Sequence, residues 1–138
     1  MSFGAAAARP GVPDGTACPC GSGRHFGGCC GPILRGAPAE TAVALMRSRY
    51  TAFSVGDAAH LRATWHPRTR PGRLELDPDL VWSRLEILDT RDGEASDDAG
   101  TVEFRAHWRD GADAGALRER SRFGRVRGSW HYIDGDVL

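Results

Sequence analysis

The chain has 138 residues, with 18 basic and 18 acidic side chains and a formal net charge of zero, which excludes a dominant electrostatic attraction to nucleic acid or anionic membrane. All of the basic residues are Arg, so Schiff-base catalysis and a phosphate-loop lysine are ruled out. No stretch approaches the ~20 consecutive apolar residues of a membrane-spanning helix.

Residues 1–17 are rich in Ala, Gly and Pro and read as a flexible leader. They hold no apolar run of signal-peptide kind, so export is not indicated and a reduced, cytoplasmic chain is expected. The four cysteines then follow within thirteen positions, Cys18-Pro-Cys20-Gly-Ser-Gly-Arg-His-Phe-Gly-Gly-Cys29-Cys30, and the chain has no others. A disulfide framework would force bridges between adjacent or nearly adjacent cysteines, with poor geometry. Two ligand pairs flanking a loop that contains Gly21, Gly23, Gly27 and Gly28 can instead fold back onto one ion, so Cys18, Cys20, Cys29 and Cys30 are the candidate metal ligands. Four sulfur ligands favour zinc, with iron as runner-up. Because they fill a tetrahedron, the site is expected to be structural: catalytic zinc keeps a position for water. Such a metal would supply the folding energy that Phe26 and Ile33 alone cannot, roughly 10–16 kcal/mol in isolated fingers. Arg24 and His25 are expected on the outside of this knuckle (residues 18–31).

The residues Cys18, Cys20, Gly21, Ser22, Gly23, Cys29 and Cys30 resemble the SEC-C motif, the metal-binding module at the C-terminus of the SecA preprotein-translocase motor. The fourth ligand is Cys30 where the translocase version has a histidine. The resemblance implies docking onto a protein partner, with the secretion machinery or the ribosome as the settings considered.

Residues 32–138 are long enough for one further domain with its own core. Residues 38–54 place Ala42, Leu45, Met46, Arg49 or Tyr50, and Phe53 at helical spacing. Gly56 ends that helix and Asp57 caps a second one through Ala63, whose apolar side Ala58, Leu61 and Trp65 continue. After a Pro-punctuated segment, Asp77-Pro-Asp79 is expected to start a helical turn carrying Leu80, Val81 and Trp82. The period then changes to two. Leu85, Ile87 and Asp89 alternate with Glu86, Leu88 and Thr90; residues 91–100 read as turn; 101–109 place Val102, Phe104, Ala106 and Trp108 on one face. Strands over 117–126 and 130–134 complete an antiparallel meander. The fold class is α+β, with a curved sheet wrapped around a helical hairpin.

Leu45-Met-Arg-Ser-Arg-Tyr-Thr-Ala-Phe53, Thr64-Trp-His-Pro67, Leu85-Glu-Ile-Leu88, Gly100-Thr-Val-Glu-Phe104, Glu119-Arg-Ser-Arg-Phe123 and Trp130-His-Tyr-Ile-Asp-Gly135 resemble the YchJ family of uncharacterised bacterial proteins. The resemblance runs from Cys18 to Gly135. It implies a cone-shaped domain similar to nuclear transport factor 2, with a pocket between helices and sheet.

The alternation puts Leu117, Glu119, Ser121 and Phe123 on one face of the third strand and Asp89 on the Leu85 face. Polar groups on a core face are costly unless paired. One reading makes Asp89, Glu119 and Ser121 the polar part of a pocket, with His66 as general base and Trp65 and Trp82 as walls. The other is structural: Glu119 or Asp89 binds Arg47 or Arg49, and His66 caps the second helix. Arg118, Arg120, Arg122, Arg125 and Arg127 form a cluster that could read phosphate, although Glu86 and Glu103 stand as cross-strand partners and that face lacks interleaved aromatics. The favoured function is a non-catalytic metal-knuckle adaptor. An enzyme of the ketosteroid-isomerase or dehydratase kind is the alternative.

Overall fold

Thr41 begins the long helix by accepting a hydrogen bond on its side chain from the Ala44 N–H, 3.1 Å away. In the computed structural model, which describes residues 11–138, this helix is α2 (Ala42–Val55). It follows a short α1 (Cys30–Leu34) and precedes α3 (Ala58–Ala63). Gly56 stops α2 in the left-handed conformation (φ 80°), which costs a glycine little. Asp57 then caps α3 by accepting from the His60 N–H at 3.0 Å. Replacing it, Asp57→Ala, is expected to cost about 1 kcal/mol, read as a lower urea midpoint at unchanged slope.

Four strands follow, β1 (Val81–Asp92), β2 (Ala99–Asp110), β3 (Asp113–Val126) and β4 (Ser129–Val137), forming an antiparallel sheet in sequence order. The meander expected from the alternation is present, with longer strands than read: Arg91 and Asp92 pair with Thr101 and Gly100, Ala99 pairs with Gly124, and β3 begins at Asp113. The Arg127–Gly128 turn, with both residues at positive φ, closes the last hairpin. Residues 64–66 hydrogen-bond to both sides of Tyr132 and cover part of the outer edge of β4. No helix among the described residues is long and apolar enough to cross a membrane.

Two local expectations are corrected. Asp77–Trp82 is not helical: Asp77 closes a turn by accepting from the N–H groups of Asp79 and Leu80. Val81 and Trp82 then enter β1, opposite Arg109 and Trp108. The cross-strand partners decide the matter, since one turn without a following helix gains little. Asp89 is also on the other face from the one counted. The register of β1 shifts between Ile87 and Asp89, so that Ile87 faces Phe104 but Asp89 faces Glu103 on the outside. An extra residue inverts every later side chain, and the alternation in sequence carries no sign of it.

Residues 13–17 are part of the folded knuckle, with Ala17 bridged to His25 and Asp14 paired with Arg35 at 2.5 Å; residues 1–10 lie outside the described residues. Phe26 and the four cysteines share one buried cluster with Leu45, Tyr50, Phe104 and Phe123, so knuckle and sheet are held together through α2.

Candidate metal centre and the adjoining cavity

Gly21 and Gly23, at φ 75° and 87°, turn the chain after Cys20, and the 3-10 turn Phe26–Gly28 returns it to Cys29 at the start of α1. The four cysteine sulfurs consequently lie within 4.8 Å of one another, with all four residues buried. The 3.6 Å between the Cys20 and Cys29 sulfurs matches the edge, about 3.7 Å, of a tetrahedron of ~2.3 Å zinc–sulfur bonds. Both the donor set and this spacing fit a thiolate-loving ion such as zinc. When bound, it would cross-link the two halves of the knuckle.

Hydrogen-bond donors surround these sulfurs. Thr51 of α2 donates to Cys30 Sγ at 3.4 Å, Ser22 Oγ lies 3.1 Å from Cys29 Sγ, and Arg24 Nη2 approaches Cys29 Sγ at 3.8 Å. Arg47, also on α2, donates to the Cys20 carbonyl at 2.8 Å. Donors around thiolates stabilise their charge and fix their orientation. Without a cation Cys18, Cys20 and Cys30 share their protons unequally. Hydrogen bonds, chiefly from the Cys30 thiol, pull Cys20 down to about 4, whereas Cys30 is pushed up by that same partner and by burial, and Cys18 is pushed up by burial. A cation at the centre removes the conflict by letting all four ionise. Arg24 and His25 are exposed at the loop, as expected.

Beside this centre, between α2 and the inner face of the sheet, lies a cavity of about 270 Å³. Trp65, Trp82, Glu119 and Ser121 all line it, but the structure does not bring His66 or Asp89 there. His66 follows the Tyr132 bridge, and its Nδ1 accepts from the Arg68 N–H at 3.1 Å, so it neither faces the cavity nor caps α3. Asp89, on the outer face, pairs with Arg91 at 3.3 Å. The expected pairing of Glu119 with Arg47 or Arg49 is also absent. Glu119 Oε2 instead accepts from Ser121 Oγ at 2.7 Å and from the Tyr132 hydroxyl at 3.2 Å. Arg49, only 3% exposed, donates from Nη1 to the Leu61 carbonyl at 2.9 Å and to Thr64 Oγ1 at 2.7 Å. Its guanidinium lies over the Trp65 and Tyr132 rings, 5.0 and 4.7 Å from their centroids. Burial lowers its pKa to about 10, which leaves it charged at neutral pH.

Sequence reasoning did not place Arg49 or Tyr132 in the cavity, nor Thr51 and Arg47 beside the cysteines. For Arg49 and Tyr132 a signal existed in the helical spacing of α2 and the alternation of β4. Thr51 and Arg47 reach the knuckle from more than twenty residues away in sequence, and no spacing rule reports that.

On the outer face, Glu103 is only 7% exposed and accepts from Arg118 and Arg120, each at 2.9 Å. Arg122 pairs with Asp134 and Asp136 at 2.6 and 2.7 Å. Arg125 lies over Trp130, 4.3 Å from the ring centroid, and donates to three carbonyls.

Residues 41–135 match the family model described as YchJ, middle NTF2-like domain. Among curated proteins, a UPF0225 protein of Streptomyces coelicolor is 57% identical over 122 residues, covering 88% of this chain and 95% of that protein. A UPF0225 protein of Corynebacterium glutamicum is 47% identical over 124 residues, covering 89% and 98%. The solution structure of a SEC-C motif containing protein from Rhodopseudomonas palustris superposes with a TM-score of 0.77 at 32% identity, covering 89% of this chain and 99% of that one. A crystal structure of a SEC-C motif containing protein from Psychrobacter arcticus superposes with a TM-score of 0.72 at 24% identity, covering 91% and 84%, and is a likeness of fold.

Proposed function

The chain belongs to the YchJ family and has UPF0225 proteins among its relatives, and on that premise we propose that it is a non-catalytic adaptor whose knuckle holds a structural zinc ion and docks onto a protein partner. The observation that carries the reading is the set of four buried sulfurs within 4.8 Å of one another. Four thiolates complete the coordination of zinc, leaving its role to be shape. The shape it sets is the exposed loop bearing Arg24 and His25, hung on α2 through Arg47 and Thr51.

The paired arginines of the sheet favour a protein partner over nucleic acid. Glu103, Asp134 and Asp136 already occupy Arg118, Arg120 and Arg122, and those ion pairs would have to be broken to bind phosphate. An enzymatic reading loses its proposed base, since His66 is not in the cavity.

Protein purified without added metal is expected to carry about one equivalent of zinc by elemental mass spectrometry. In affinity capture from cell extract, the variant His25→Glu, which leaves the Arg24 contact to Cys29 Sγ in place, should keep the metal and lose the partner. Capture of the same proteins by wild type, by this variant and by metal-stripped protein would overturn the adaptor reading.

A further inference from the structure

The cavity makes demands that the protein itself does not meet. The two hydrogen bonds of Arg49 to described residues both leave from Nη1, so Nε and Nη2 are left without acceptors among them. The Trp65 ring forms part of the same wall, but its indole N–H, which has no hydrogen-bond partner among the described residues, is fully enclosed and is not presented to the cavity. A guanidinium that is almost fully buried, with two of its nitrogens unpaired among the described residues, calls for an explanation. Glu119 has the opposite need: Ser121 and Tyr132 both donate to Oε2, which leaves Oε1 without a donor among the described residues. Arg49 and Glu119 form no ion pair with each other, yet as the charged groups lining this space they sum to zero.

Between these groups the walls are flat and apolar. Trp65 stands edge-on to Tyr132 at 5.2 Å, and Phe53 edge-on to Trp82 at 6.3 Å. Such faces accept a planar ring. The volume, about 270 Å³, lies just below the range of roughly 300–1,000 Å³ usual for drug-sized ligands, which limits the occupant to one or two rings.

We propose that this cavity is a binding site for a small, uncharged, planar ring compound carrying an amide-type edge. Its carbonyl oxygen accepts from Nε or Nη2 of Arg49, and its N–H donates to Oε1 of Glu119. A net charge on the ligand would be buried without a counter-ion, because Arg49 and Glu119 already balance. The site is independent of the adaptor reading, since it uses α2 and the sheet and none of the cysteines.

Benzamide is a suitable probe, with benzoate and benzylamine as charged analogues of the same ring, added to the metal-loaded full chain. The readout is the set of indole N–H signals in a ¹⁵N–¹H spectrum. Benzamide should shift the Trp65 and Trp82 signals saturably and bind about ten-fold tighter than either analogue, as expected where a buried charge goes uncompensated. Glu119→Gln leaves Arg49 unbalanced and should reduce the preference for benzamide over benzoate by about five-fold or more. Ala106→Leu fills the space from the sheet and should weaken benzamide binding about ten-fold or more. Phe53→Trp does so from α2 should the first variant not fold. The proposal is overturned if benzoate or benzylamine binds tighter than benzamide. It is equally overturned if no probe gives a saturable shift up to roughly 20 mM, well beyond fragment affinities, or if the cavity-filling variants bind benzamide as wild type does.

Discussion

Stripping the metal with a chelator, or replacing Cys29 and Cys30 together with Ser, is expected to destabilise the whole chain by about 5 kcal/mol, the scale reached by loss of a structural metal. The effect spreads beyond the knuckle because the cysteines share one buried cluster with Leu45, Tyr50, Phe104 and Phe123. Without the ion, Cys18 and Cys30 hold their protons beside an ionised Cys20, the sulfurs satisfy one another only in part, and the Thr51 and Arg47 contacts lose a rigid partner. Differential scanning calorimetry with and without chelator measures this directly. A change below about 1 kcal/mol, the ordinary effect of a point substitution, would mean that the centre contributes no folding energy and would remove the structural role from it.

His60 is expected to contribute about 3 kcal/mol to the stability lost as the pH falls from 7 to 4, in addition to the metal released as acid protonates the thiolates. This residue is 8% exposed, with Nε2 3.0 Å from Ser48 Oγ; the Ser48 hydroxyl donates to the Leu45 carbonyl at 2.8 Å, so the imidazole is the donor to Ser48. Burial lowers its pKa from 6.5 to about 4, the nearby Arg49 charge lowers it further, and Asp57 opposes. Below pH 6.5 the unfolded chain takes up the proton first, so stability is complete above that value and declines until the folded form is protonated near pH 4. At about 1.36 kcal/mol per pH unit, that interval gives the stated loss. His60→Gln keeps an N–H for Ser48 but does not titrate. Urea denaturation of wild type and variant at matched pH across this range should show a shallower pH dependence for the variant by that amount, since metal release is common to both; parallel curves would refute the assignment.

Much of the architecture was legible in the sequence because it rests on short-range chemistry. Gly56 and Asp57 mark helix ends through bonds spanning three or four residues, and the alternation of Val102, Phe104 and Ala106 follows from the pleat; sequence reasoning did not place the Thr41 cap. The legible part of the cavity, Glu119 and Ser121 on an inward face beside Trp65 and Trp82, came from the same period. Asp89 shows where such counting stops. One extra residue near Leu88 inverted its face, and the bulge exists because of how β1 matches β2. His66 was misplaced because its position depends on the pairing of residues 64–66 with Tyr132 across the fold.

What the sequence by itself determined is the cysteine cluster. Thirteen residues with glycines at the turns allow four sulfurs to meet on one ion, since closing so short a loop costs little chain entropy. Only the tertiary structure decided that the knuckle hangs on α2 through Thr51 and Arg47, and that Arg49 lies buried over two aromatic rings instead of pairing with Glu119. Those arrangements depend on long-range packing, in which hydrogen bonds and ring contacts compete for the same charged group and the outcome is set by which neighbours the fold delivers.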